Sequence, residues 1–320
     1  MRKDCKQNHT VAIAHIQGYH DHAYGTNYAF SGFTANKYFT SDRYIKLDGN
    51  FNRPDGKPLK GFGLEIETEC SSITNPTVLA EVLHKIVFAH FPADLFKLQH
   101  DGSLGGNSSA EIITQVMTKE FIRNNYAGFK AMYKDYFPAL RISCSASGNC
   151  GMHTNMSNAL FGSTAATQET AIKKLLYFVN KNFTFACILL NRNPNRTTYC
   201  RRMHSFVDMN ACKAANLSSM VSDHGICFNM GHYREGRIEL RLVGGQDSFG
   251  CFRNTMESVF HLIEACKRCS WADMDDLTKV FAGCNQYVYD RLNTKCRAAC
   301  VISAEQLATI QPTVKVEELL

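Results

Sequence analysis

From residue 61 onward the chain alternates between two hydrophobic periods. Gly61-Phe62-Gly63-Leu64-Glu65-Ile66-Glu67-Thr68-Glu69 sets apolar and acidic side chains on opposite faces with period two, which predicts a strand. Asn75-Pro76 then offers a helix N-cap with proline at the first helical position. Val78, Leu79, Val82, Leu83, Ile86 and Val87 follow at helical spacing, predicting an amphipathic helix to about Phe91. A short strand over Leu95–Gln99, a glycine- and serine-rich loop at 105–109 and a strand over Ala110–Thr114 come next, then a helix over 118–135. Ile142–Asn155 reads as strand and turn. The clearest helix spans 168–190, where Ile172, Leu175, Leu176, Val179, Phe183, Ala186, Cys187 and Leu190 form one stripe. Strands near 225–230 and 236–243 and helices near 250–270 and 275–292 complete the pattern.

Strands and helices mix in this order without strict βαβ alternation, so an α+β fold is expected rather than a doubly wound sheet. Residues 1–60 carry Tyr, Phe, Asn, Gly and His in short alternations and are expected to form an irregular, β-rich arm. His9, His15, His20 and His22 fit a polar surface there better than a metal site. The main domain is expected over 61–300, with 301–320 as a tail. No internal repeat, linker or Walker motif is visible, and Gly61 and Gly63 are too little for a dinucleotide fold.

Composition narrows the function classes. With 45% hydrophobic and 20% charged residues the chain has enough apolar surface to fold, which excludes a mainly disordered protein. The net charge of +6 is spread along the chain, so it argues for no nucleic-acid stripe and at most favours a small anionic ligand. No run of ~18 apolar residues is present to span a membrane, and Met1-Arg2-Lys3-Asp4-Cys5-Lys6 does not resemble a secretory signal. A cytoplasmic protein is therefore expected. The 14 cysteines are then expected to be mostly reduced, several packing as small hydrophobes, as Cys187 and Cys266 would on their helical stripes. Cys266 and Cys269, with Cys296 and Cys300 downstream, approach zinc spacing, but the first pair falls inside a periodic helix where a zinc knuckle needs a turn.

Four separated segments carry candidate chemistry. Residues two apart on a strand share a face, so Glu65 and Glu67 present carboxylates roughly 6–7 Å apart, a spacing suited to neighbouring divalent cations. Asp101-Gly102-Ser103-Leu104 is followed by Glu111-Ile112-Ile113-Thr114. In Gly151-Met152-His153-Thr154-Asn155, His153 and Asn155 share a face. In Arg237-Ile238-Glu239-Leu240-Arg241 a carboxylate lies between two guanidiniums, which fits a salt-bridged surface and is also what a site needs to hold a metal together with a polyphosphate.

Together, and in this order, the four segments resemble the amidoligases, carboxylate–amine ligases similar in fold to glutamine synthetase and γ-glutamylcysteine synthetase. The resemblance covers roughly residues 60–270. It implies a glutamine-synthetase-like catalytic fold, a curved and mostly antiparallel sheet flanked by helices. It further implies that Glu67 and Glu111 hold one Mg²⁺ (or Mn²⁺), and that Glu65, His153 and Glu239 hold a second nearer the phosphates of ATP. Arg237 and Arg241 would neutralise the transferring phosphoryl group, Asn155 would sit near the nucleotide, and Asp101 would orient the attacking amine or accept its proton. Arg192 or Arg196, in the basic loop before Tyr199, would clamp a substrate carboxylate. The implied reaction activates a small-molecule or peptide carboxylate as an acyl phosphate and joins it to an amine, with electrostatics and positioning as the main catalytic work.

Two alternatives use the same residues. A phosphotransferase or ATPase keeps the metal–nucleotide site but has no need of Asp101 and the basic loop. A catalytically degenerate binding module would be expected to lack a metal ligand, whereas all five candidates are present. The substrates and the oligomeric state are left open.

Overall fold

The computed structural model describes residues 60–73, 78–79, 82–83, 87–91, 95–99, 109–144, 150–220 and 222–313. The arm expected over 1–60, apart from Lys60, lies outside these residues, as do Asp101, the glycine-rich loop and residues 314–320 of the expected tail. The described residues fall into two compact units that interleave along the chain: 63–152 with 245–249, and 60–62 with 153–244 and 250–313. Both mix helices with antiparallel strands, as the α+β pattern predicts.

The first unit is built on strands β1 (Phe62–Cys70), β2 (Phe96–Gln99), β3 (Ser109–Thr114) and β4 (Ile142–Ser143). They run antiparallel in the order β2-β3-β1, with β4 also on β1. The period-two pattern sets the burial of β1: Leu64 and Ile66 are fully buried while Glu65 and Glu69 on the other face are partly exposed. The described apolar positions of the helix expected over 75–91, Val78, Leu79, Val82, Leu83 and Val87, are all buried. Phe91 packs edge-on against Phe96 and Phe129, at 4.8 and 5.0 Å between ring centroids. A Cβ on Gly128 would meet the Phe91 ring at 2.9 Å, so glycine is what lets the helix come this close.

The second unit carries β5 (Met152–Ser157), β6 (Phe228–Asn229) and β7 (Arg237–Leu240), antiparallel in the order β5-β7-β6. Its aromatic core joins Phe178, Phe185 and Phe281, with centroids 5.6–6.2 Å apart. Each such ring removed from water contributes about 1.5–3 kcal/mol.

Three helices expected to be continuous are interrupted, and two of the breaks fall at an asparagine. The stretch over 118–135 becomes α1 (Lys119–Asn124) and α2 (Tyr126–Ala131), running on into a π-helical turn, Met132–Tyr136. The stretch over 168–190 becomes α3 (Ala165–Lys181) and α4 (Phe183–Leu189). The residue at each break is an asparagine whose Nδ2 donates to the carbonyl four residues back, Asn125 to Phe121 at 2.8 Å and Asn182 to Phe178 at 3.2 Å. The backbone N–H of each asparagine still reaches that same carbonyl, at 3.1 and 3.0 Å, so the ladder bond is kept; the interruption lies in the asparagine's own backbone, at φ −106° and −105° with ψ 15° and 43°. Between Met209–Ala214 (α5) and the long helix Phe249–Arg268 (α6) lie β6 and β7. The helix expected over 275–292 divides into α7 (Leu277–Val280) and α8 (Gln286–Arg291). Gly283 takes a left-handed φ of 69° there, and Asn285 caps the new start by accepting from Val288. Helices α5 and α9 (Ala304–Thr309) had no counterpart in the hydrophobic pattern; Asp208 and Ser303 cap them.

All 13 described cysteines are free thiols and most are buried. Burial pushes Cys187, Cys212, Cys227, Cys284 and Cys296 up to about 12. Cys266, Cys269, Cys296 and Cys300 form no group that could hold a metal among the described residues. No helix among the described residues is long and apolar enough to cross a membrane.

Candidate functional site

The sequence-derived site residues fall into two groups, one in each unit. In the first unit the ladder between β1 and β3 sets Glu67 directly opposite Glu111, and Glu65 opposite Ile113. Glu65, Glu67 and Glu111 therefore share one sheet face, while Ile66 and Ile112, paired with each other, line the core on the other. Glu65 and Glu111 are diagonal neighbours whose carboxylates offer ligand atoms within 4.8 Å of one another. Glu67 is buried, at 8% exposure, and its Oε2 accepts from the backbone N–H of Gly151. The Glu67 N–H in turn donates to the Gly151 carbonyl at 3.0 Å. That exchange fixes Glu67 at its backbone and at its carboxylate.

In the second unit, β7 pairs with β5 and β6 on either side, so that Asn155 and Asn229 both oppose Glu239. All three are more than nine-tenths buried, and so is His153. Both carboxylate oxygens of Glu239 are engaged. Oε1 accepts from Arg241 Nη1 at 2.6 Å, and Oε2 accepts from Asn229 Nδ2 at 2.9 Å. His153 Nδ1 lies 3.6 Å from Glu239 Oε1 and 3.5 Å from Arg241 Nη1. Arg237 Nη1 donates to Asn155 Oδ1. Arg241 Nε is buried without a hydrogen-bond partner, a donor that burial makes costly to leave unsatisfied.

Arg192 and Arg196, which the sequence left as equivalents, stand in different environments. Arg196 is exposed on the loop after α4. Arg192 is partly buried, and its guanidinium donates to three successive backbone carbonyls: Arg241 and Leu242 at 3.3 Å and Val243 at 2.7 Å. Asp101 lies outside the described residues.

Sequence reasoning missed Asn229 and the Gly151 amide. Asn229 is a polar residue in the apolar run Cys227-Phe228-Asn229-Met230, and it is 1% exposed. A buried polar position of this kind needs a partner, and that was the available signal. The Gly151–Glu67 contact had none, because strand pairing across 84 residues leaves no mark in local periodicity.

Chemically, the first group is a set of hard oxygen donors, which suits Mg²⁺ or Mn²⁺ rather than a soft metal. The second holds a guanidinium with a buried, unsatisfied N–H, which suits an anionic oxygen. The residues present thus fit a divalent cation and, separately, an anionic oxygen. No protein-family model matches the chain, and no curated protein matches it.

Proposed function

We propose that the protein is an ATP- and Mg²⁺-dependent carboxylate–amine ligase with a glutamine-synthetase-like catalytic fold. The observation that supports this best is the cross-strand carboxylate group, Glu67 facing Glu111 with Glu65 on the diagonal. Like charges directly opposite on a sheet are destabilising, and a bound divalent cation reverses that cost. Glu67 and Glu111 are assigned to a cation, with Glu65 beside them on the same face. Mg·ATP would supply the phosphoryl group that makes a carboxylate electrophilic.

The chain's own residues do the rest. Arg241, oriented by Glu239 and with Nε still to be satisfied, neutralises negative charge on the phosphates. Arg237 does the same from the start of β7, and its bond to Asn155 holds that amide in place beside the nucleotide. Asn229 keeps Glu239 from rotating. Asp101 is assigned to the incoming amine, as orienter or proton acceptor. A carboxylate clamped by a loop arginine would take the terminal phosphoryl group and release ADP; the amine would then attack that acyl phosphate, lose a proton to Asp101, and expel phosphate to leave an amide.

Thermal unfolding with and without Mg·ATP tests the reading without knowledge of either substrate. At 100 times its dissociation constant a ligand adds about 2.7 kcal/mol. The wild type is expected to shift upward only when Mg²⁺ is present, and Glu65→Ala and Glu239→Ala to lose the shift. A folded wild type that is unmoved by millimolar Mg·ATP refutes the proposal and leaves a non-catalytic binding module.

A further inference from the structure

We propose that Arg192 is a positioning residue that sets the end of β7, and with it Arg241 and Glu239. This rests on the ligase reading above, which names what Arg241 and Glu239 act upon.

The geometry begins at the C-terminus of α4, where the last carbonyls need partners from outside the helix. Asn191 adopts a left-handed φ of 63°, and the N–H groups of Asn191 and Arg192 return to the carbonyls of Ile188 and Cys187 at 3.3 and 2.7 Å. This is the paired closure of a Schellman motif. The next two carbonyls are taken from elsewhere in the unit. Arg291 Nε donates to Leu189 at 3.1 Å, and the Gly244 N–H donates to Leu190 at 2.9 Å. Arg291, 2% exposed on α8, also donates from Nη2 to Asn191 Oδ1 at 2.8 Å, locking the turn from which Arg192 projects.

From that fixed root the Arg192 guanidinium reaches the carbonyls of residues 241, 242 and 243. Strand β7 ends at Leu240, so these carbonyls lie just beyond the ladder that fixes Glu239. On the N–H side the same segment is held by Arg241 donating to Cys227 at 2.9 Å and by Gly244. The segment carrying Arg241 is thus tied through both its donors and its acceptors, and Arg192 supplies the acceptor side. A guanidinium serving three backbone carbonyls is committed to the protein.

Hydrogen–deuterium exchange on the full chain, paired with Mg·ATP titration, tests this with Arg192→Gln, Arg192→Lys and Arg196→Gln. In Arg192→Gln, exchange of the Arg241 and Gly244 amides is expected to rise at least tenfold while α3 and α6 stay as in the wild type. Its Mg·ATP dissociation constant is expected to rise at least tenfold. Arg196→Gln is expected to leave exchange at 241 and 244 unchanged. Should Arg192→Gln fail to fold, Arg192→Lys, which keeps the charge but not the planar fork, is expected to show the same two changes at smaller size. Wild-type exchange at 241 and 244 in a folded Arg192 variant overturns the proposal. So does faster exchange with undiminished Mg·ATP affinity, which makes Arg192 a structural clamp alone. A wild type that binds no Mg·ATP refutes the ligase reading instead, and the exchange data then decide by themselves whether Arg192 holds the strand end.

Discussion

Replacing Glu111 by glutamine removes one negative charge from a face where Glu67 stands directly opposite and Glu65 lies on the diagonal. Ligand atoms of Glu65 and Glu111 come within 4.8 Å, and at an effective dielectric of ~20 two unit charges at that separation repel by roughly 3 kcal/mol. Both carboxylates are partly exposed, so solvent, salt and side-chain relaxation bring the net cost toward the ~1 kcal/mol known for like charges across a ladder. In EDTA, Glu111→Gln is therefore expected to be more stable than the wild type by about 1 kcal/mol, or ~2–4 °C in Tm. With Mn²⁺ at 100 times its dissociation constant the wild type gains about 2.7 kcal/mol, and the variant, having lost a ligand, gains little. The order of the two melting curves should invert on adding the metal. Differential scanning calorimetry of both proteins in both buffers reads this directly. A variant less stable than wild type in EDTA, or one stabilised by Mn²⁺ as much as wild type, refutes the argument that these carboxylates are spaced for a cation.

Other consequences follow from single contacts. A Cβ on Gly244 would lie 1.9 Å from the Asn191 carbonyl oxygen, so Gly244→Ala is expected to cost ~3 kcal/mol in urea unfolding. Asn180 is fully buried and its Oδ1 accepts from the Met203 N–H at 2.7 Å. Asn180→Ala strands that donor and is expected to cost ~1–3 kcal/mol in the same assay. The buried thiols set a pH dependence. Cys187, Cys212, Cys227, Cys284 and Cys296 titrate from a usual 9.0 at about 12 when folded. Between those values the native state binds more protons than the unfolded chain, so stability is fully present below pH 9 and falls as pH rises toward 12. Urea unfolding at pH 8, 9 and 10 should show a decline that becomes shallower in Cys187→Ala.

How much of this was legible depends on whether the determining interaction is local. The strand through Glu65 and Glu67 was readable because its period is two and its apolar half, Leu64 and Ile66, is buried without exception. The face shared by Arg237, Glu239 and Arg241 was readable for the same reason, and β5 and β7 do pair so that Asn155 opposes Glu239. Helix existence was legible from the 3.6 period; helix continuity was not. Apolar spacing runs straight through Asn125 and Asn182, whereas the backbone leaves helical angles at each of those single residues. The helix α9 rests on a capping box and three buried residues, Ile302, Leu307 and Ile310, too few to make a periodic signal. In the candidate site, residue types and faces were available, but partners were not. That Glu239 gives one oxygen to Asn229, and that Arg192 is spent on backbone carbonyls, are facts of chain crossing over separations of 10 and 51 residues.

The central claim is that a carboxylate receives phosphate from ATP before it meets an amine. Incubating the protein and Mg·ATP with amines and a panel of carboxylic acids labelled with ¹⁸O in the carboxylate, then weighing the released phosphate by mass spectrometry, tests it most directly. Phosphate carrying one ¹⁸O from the acid is expected, in step with ADP and amide. Phosphate whose new oxygen comes only from water, whichever acid is supplied, would contradict it and identify an ATPase.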